Sequence, residues 1–107
     1  MLRVVFSRVR DGQVERLRAW MRELMARPDE VRATFEQEGV RHEAAYLLES
    51  RDGPVLVYAI EVEDESRAQQ AFEASTLPLD QEHRQTMDAV LAGRGLAAAE
   101  LLYEMRL

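Results

Sequence analysis

The stretch VRHEAAYLLESRDGPVLVYAIEV, residues 40–62, decides the fold. Val40–Glu49 and Val55–Val62 are two runs rich in β-branched, aromatic and other apolar residues, the composition of strands. Between them Ser50-Arg51-Asp52-Gly53-Pro54 holds an Asp-Gly pair, a tight-turn signal, so the two runs are expected to pair as an antiparallel hairpin. Alternation sets Val40, His42, Ala44, Tyr46 and Leu48 on one face of the first strand. Arg41, Glu43, Ala45, Leu47 and Glu49 fall on the other. The first set is the more apolar and is assigned to the side covered by helices.

Upstream, Leu2–Val9 (LRVVFSRV) reads as a buried strand that ends at Asp11 and Gly12. From Gln13 to Arg27, Val14, Leu17, Met21, Leu24 and Met25 recur at helical spacing, with Trp20 on the flank of the stripe. Pro28 breaks that helix and, with Asp29 and Glu30, suits the first turn of the next one, which turns Val31, Thr34 and Phe35 inward and is capped by Gly39. Downstream, Asp64–Glu73 forms a short helix with Ala68, Ala71 and Phe72 inward. Ser75–Leu79 connects it to a last helix, capped by Asp80, running to Ala92 and stopping at Gly93. Leu96–Leu107 is expected as the fourth strand.

The order is strand, helices, strand, strand, helices, strand in one domain, residues 1–107. Right-handed crossovers then give an α+β, ferredoxin-like four-stranded sheet with helices on one face. Both sheet faces carry apolar residues, Val4 and Phe6 on one side and Val5 and Val9 on the other. A sheet wetted on one side does not need that pattern, so the open face is expected to bury itself in a homodimer, forming a dimeric α/β barrel.

Composition narrows the chemistry. Cysteine is absent, which excludes disulfides, thiol nucleophiles and thiolate metal sites. Lysine is absent as well, so all 14 basic side chains are Arg, and Schiff-base chemistry is excluded. The net charge of −6 repels phosphate backbones, and VLVYAIEV lacks the basic and aromatic pattern of base-stacking domains, so no nucleic-acid partner is expected. No apolar run approaches the roughly 20 residues of a membrane span. Met1 leads into a strand pattern rather than an export segment, so the expected location is cytoplasmic.

The two histidines, His42 and His83, carry the sharpest chemical signal. His83 lies four residues before Met87 on the inner side of the last helix, and Asp80 three residues before His83, placed to cap the helix or orient the ring. With His42 assigned inward, the two imidazoles approach each other between sheet and helices. Three readings follow. His42, His83 and Asp80 hold iron or zinc; or His83 is a general acid or base on a small organic ligand, with Asp80 fixing its tautomer and Tyr46 or Tyr58 donating a hydrogen bond; or both rings are hydrogen-bonded core residues. Neither a HxH nor a HExxH spacing is present, and the metal-free reading is preferred, with no cofactor.

The motifs Arg27-Pro28-Asp29-Glu30-Val31, Glu38-Gly39-Val40 with Glu43, the Tyr58 strand, and Ser75 with Leu79-Asp80-Gln81-Glu82-His83 span nearly the whole chain. In these the chain resembles a family of small uncharacterised bacterial proteins of the dimeric α/β-barrel superfamily. The resemblance implies a homodimer with facing sheets and a pocket between sheet and helices in each subunit. It favours Ser75, Asp80, His83 and Glu43 as site residues and says little for His42. A site built on Glu43 is expected to open toward the dimer interface. The resulting expectation is a small-molecule-binding protein or cofactor-independent enzyme, with a non-catalytic structural or regulatory homodimer as the alternative.

Overall fold

The computed structural model describes residues 1–94 and 99–107. Its elements are β1 (Leu2–Val9), α1 (Val14–Met25), α2 (Pro28–Glu38), β2 (Val40–Ser50), β3 (Gly53–Val62), α3 (Glu65–Ala74), α4 (Pro78–Val90) and β4 (Leu91–Arg94). The strands form one antiparallel sheet in the order β2-β3-β1-β4. This α+β arrangement is consistent with the ferredoxin-like plan.

Local chemistry explains most boundaries. Pro28 occupies the first turn of α2, where its missing N–H costs nothing, and Asp29 and Glu30 follow at the positive end of the helix. Gly39 ends that helix at φ +73°, a left-handed conformation that a side chain would strain. The Asp64 carboxylate caps α3 by accepting the Arg67 backbone N–H at 3.2 Å. The hairpin is tighter than expected. Ser50 pairs directly with Gly53, leaving Arg51 and Asp52 as the loop.

The end of the chain departs from expectation. Helix α4 stops at Val90, and the chain pairs at once with β1, Leu91 opposite Val9, Gly93 opposite Arg8 and Arg94 opposite Ser7, with a register shift at Ala92. Val90 and Leu91 are both buried in the core, which anchors the chain at the point where helix becomes strand. Gly93 is therefore a strand residue on an edge and not a helix cap. Of the expected strand Leu96–Leu107, residues 95–98 lie outside the described residues, and 99–107 carry no regular secondary structure.

The core lies between the helices and one sheet face. Val9, Leu17, Trp20, Leu56, Leu79, Met87 and Val90 meet there, with Tyr58 and Leu47 packed at the margin. Each large aliphatic side chain buried in this way contributes roughly 2 kcal/mol. The face assignment of β2 is the reverse of the expected one. A bulge between Val40 and His42 inserts one residue, so Glu43 pairs with Ile60 and Leu47 with buried Leu56, while Tyr46 and Leu48 turn outward and are exposed. A one-residue slip exchanges every side chain between faces. The opposite sheet face exposes Leu2, Val4, Tyr46 and Leu48. Among the described residues, no helix is long and apolar enough to cross a membrane.

Candidate functional site

Three elements bring aromatic rings around one imidazole. Trp20 on α1, Tyr58 on β3 and Phe72 on α3 all approach His83 on α4. The Trp20 indole Nε1–H donates to His83 Nδ1 at 2.8 Å. An indole only donates, so Nδ1 is an acceptor and the neutral ring carries its proton on Nε2. That Nε2 lies 3.5 Å from the Tyr58 hydroxyl, at the outer limit of a hydrogen bond. Phe72 meets the ring edge-on, with centroids 5.9 Å apart.

Arg84 follows His83 on α4. Its guanidinium lies over the Phe72 ring and donates to the Phe72 carbonyl at 2.6 Å and the Ser75 carbonyl at 2.9 Å. The end of α3 is thereby satisfied by a side chain from the next helix. His83, Tyr58, Phe72 and Arg84 border a cleft of about 150 Å³ between the sheet and α3–α4, also lined by Val5, Ser7, Met87 and Leu91. A larger hollow of about 370 Å³, between Leu24, Pro28, Val31, Phe35 and Val40, lies where α1, α2 and the start of β2 meet and is shared by none of the residues around His83.

A second polar node lies between α2, α4 and β2. Thr34 and Asp80 are both buried, and the Thr34 hydroxyl donates to the Asp80 carboxylate at 2.7 Å from each oxygen. The same hydroxyl lies 3.3 Å from Glu38. Burial pushes the Glu38 carboxyl up to about 7, helped by the negative charges of Asp80 and Glu43. Burial alone pushes Glu43 to about 7. The node thus holds protons at pH values where surface carboxylates have lost theirs.

A family model of unknown function, DUF6176, matches residues 2–106. The chain belongs to the DUF6176 family. No curated protein and no solved structure matches it.

In this DUF6176 protein the residues singled out from sequence separate into four places. His83 and Tyr58 stand together at the cleft. Asp80, expected to cap α4 and orient His83, does neither: it sits inside the first turn of α4 and bonds Thr34, while Trp20 orients the ring. Glu43, expected on the open face, points inward close enough to raise Glu38. His42 and Tyr46 are exposed on the outer face, because of the β2 bulge, so His42, His83 and Asp80 do not gather into a metal site. Ser75 is buried and structural in its contacts, its hydroxyl accepting the Leu77 N–H at 3.2 Å just before α4.

Two of the sequence motifs of the DUF6176 chain meet in space. Arg27 donates to Glu30 at 2.6 Å and to Glu82 at 2.7 Å, tying the start of α2 to α4 beside the Thr34–Asp80 bond. The residues that sequence reading missed are Trp20 as the partner of His83, Thr34, Glu38, Ser7 and Arg84. Trp20 and His83 are 63 positions apart, and only the packing of α1 on α4 relates them. Thr34 had one legible signal, a polar residue on the inner face of an amphipathic helix.

Proposed function

We propose that this DUF6176 protein binds a small organic molecule in the cleft beside His83 and does so as a homodimer joined through the outer sheet face. The observation that carries the binding reading is the Trp20–His83–Tyr58 chain, a preorganised polar line ending at a largely apolar cleft. Such a site, apolar walls with a few convergent polar groups, is the usual form of a small-molecule pocket. A volume near 150 Å³ suits a compact, single-ring molecule. The geometry favours His83 as a hydrogen-bond donor. To act as a base, the ring must first give up the indole, since Nδ1 is occupied by the Trp20 proton and Nε2 already carries its own.

Fragment binding followed by amide NMR tests this. Single-ring compounds are expected to shift Ser7, Tyr58, His83 and Met87 together. Val5→Phe, which fills the cleft with a larger side chain, should abolish the shifts while leaving the spectrum folded. Failure of every fragment to perturb the cleft would overturn the reading.

The homodimer is supported by the outer face, where Leu2 is 50% exposed, Val4 37%, Tyr46 62% and Leu48 49%. An apolar patch rimmed by charge on a sheet usually marks association. Sedimentation equilibrium should return twice the chain mass of 12.3 kDa. Val4→Glu, which puts a charge in the middle of that patch, should return the monomer mass. A wild-type monomer would refute the dimer and leave the cleft untouched.

A further inference from the structure

The protein carries a net charge of −6, yet among the described residues no carboxylate lines the cleft. The charged residue among them that does is Arg84. Two of the five guanidinium N–H donors go to the Phe72 and Ser75 carbonyls, and among the described residues no carboxylate pairs with it. Ser7 lines the same cleft from β1, is 5% exposed, and its hydroxyl has no hydrogen-bond partner among the described residues. Among the described residues no sealed side-chain nitrogen or oxygen lacks a partner, which is consistent with a Ser7 hydroxyl that meets the cleft it lines. His83 borders the cleft as well, with Nδ1 engaged by Trp20 and Nε2 3.5 Å from the Tyr58 hydroxyl. Arg84 and Ser7 thus turn donors toward the cleft, one of them cationic, set among Val5, Phe72 and Met87.

A half-buried cation without a counter-charge is costly, and an anion bound beside it removes that cost while satisfying donors that the protein leaves open. We infer that the cleft selects a compact organic anion, a carboxylate on an apolar body no larger than one ring, with Arg84 and Ser7 as its anion-binding residues. The inference rests on the reading that the cleft binds a small molecule and adds the charge of that molecule. The apolar walls take the ring, and the guanidinium and the Ser7 hydroxyl take the carboxylate, which is a division of labour that a neutral isostere cannot exploit.

Benzoate and benzamide, of equal size and opposite polar character, separate the two claims when titrated at constant ionic strength. Benzoate is expected to shift Ser7, His83 and the Arg84 side-chain signal, and to bind about tenfold more tightly than benzamide, the effect of one charge-assisted hydrogen bond. Added salt should weaken benzoate and spare benzamide. Arg84→Gln should bring the two affinities together, with a thermal melt confirming the fold, because Arg84 also ties down the end of α3. Ser7→Ala keeps the charge and the helix contact, and should reduce the preference for benzoate without moving benzamide. Equal binding of the two compounds at the cleft overturns the anion inference and leaves the binding site standing. Cleft binding by neutral fragments with none by benzoate does the same, whereas no binding by any compound overturns both.

Discussion

Thr34→Val is expected to destabilise the protein by about 2 kcal/mol at pH 7, although it replaces a hydroxyl by a methyl of similar size. The reason lies in what remains. Asp80 is 3% exposed and its carboxylate receives the Thr34 hydroxyl at 2.7 Å, so the variant leaves buried charge without that donor. Hydrogen bonds to charged groups are worth roughly twice neutral ones, and the larger part of the loss is the desolvation of the group left behind. Glu38 lies beside the same hydroxyl, so the repulsion between the two carboxyls is no longer bridged. Urea denaturation is the measurement: the midpoint should fall with the slope unchanged. In an Asp80→Asn background the same replacement should cost about half as much, because the partner is then neutral. An unchanged midpoint in the single variant would show that the buried bond contributes nothing.

The second large effect is on pH dependence. Glu43→Gln is expected to stabilise the protein by about 2 kcal/mol at pH 8 and to change little at pH 5. The folded-state values of Glu43 and Glu38 lie near 7, above the ordinary value of 4.5. Between those two pH values the folded protein keeps protons that the unfolded chain has released. Stability from these groups is therefore complete below about 4.5, falls as pH rises to about 7, and stays low above that. Glutamine mimics the protonated form and removes the fall. The groups facing Glu43 and Glu38 are the Asp80 carboxylate and the Thr34 hydroxyl, and among the described residues neither glutamate has an arginine partner. Glu38→Gln should act in the same direction but less, since Glu38 is the more solvated and its charge the better screened. Glu30 and Glu61, held below the ordinary range by hydrogen bonds from Arg27 and Arg106, work oppositely and lose their contribution only as the medium turns acidic. Thermal melts of wild type and Glu43→Gln from pH 5 to 9 should therefore diverge as pH rises. Parallel curves would mean that Glu43 ionises as a surface residue does.

Where sequence reading succeeded, the signal was local. Strand β1 was bounded correctly by its apolar run and the Asp11-Gly12 break, and α2 by Pro28 at one end and Gly39 at the other. The hairpin followed from two apolar runs around Asp52-Gly53. Where it failed, the deciding contact was distant. The face of β2 rests on counting apolar residues, and the count favours Val40-His42-Ala44-Tyr46-Leu48 over Arg41-Glu43-Ala45-Leu47-Glu49, the wrong face from His42 onward. Pairing with β3 decides it, because Leu47 lies opposite buried Leu56. A glycine after a helical run reads as a cap, which places the expected fourth strand beyond Gly93. Its backbone instead pairs with Arg8, 85 positions earlier in the chain.

His83 illustrates the same division within the site. Helical spacing from Met87 was enough to turn it inward, and it was enough to make the ring a candidate. Its nearest polar neighbour in sequence, Asp80, appeared to be its partner for the same reason. Three residues along a helix do face similar directions, but the packed neighbour of each direction differs: α2 offers Thr34 to Asp80, and α1 offers Trp20 to His83. Amino-acid order by itself determined the element types, the ferredoxin-like succession, the absence of thiol and amine chemistry, and the inward placement of His83. These depend on periodicity, turn chemistry and composition, which act within a few residues. Only the tertiary structure decided which residues share a site, because hydrogen-bond partners and sheet faces are set by contacts between segments far apart in sequence, and a single inserted residue at the β2 bulge is sufficient to exchange one face for the other.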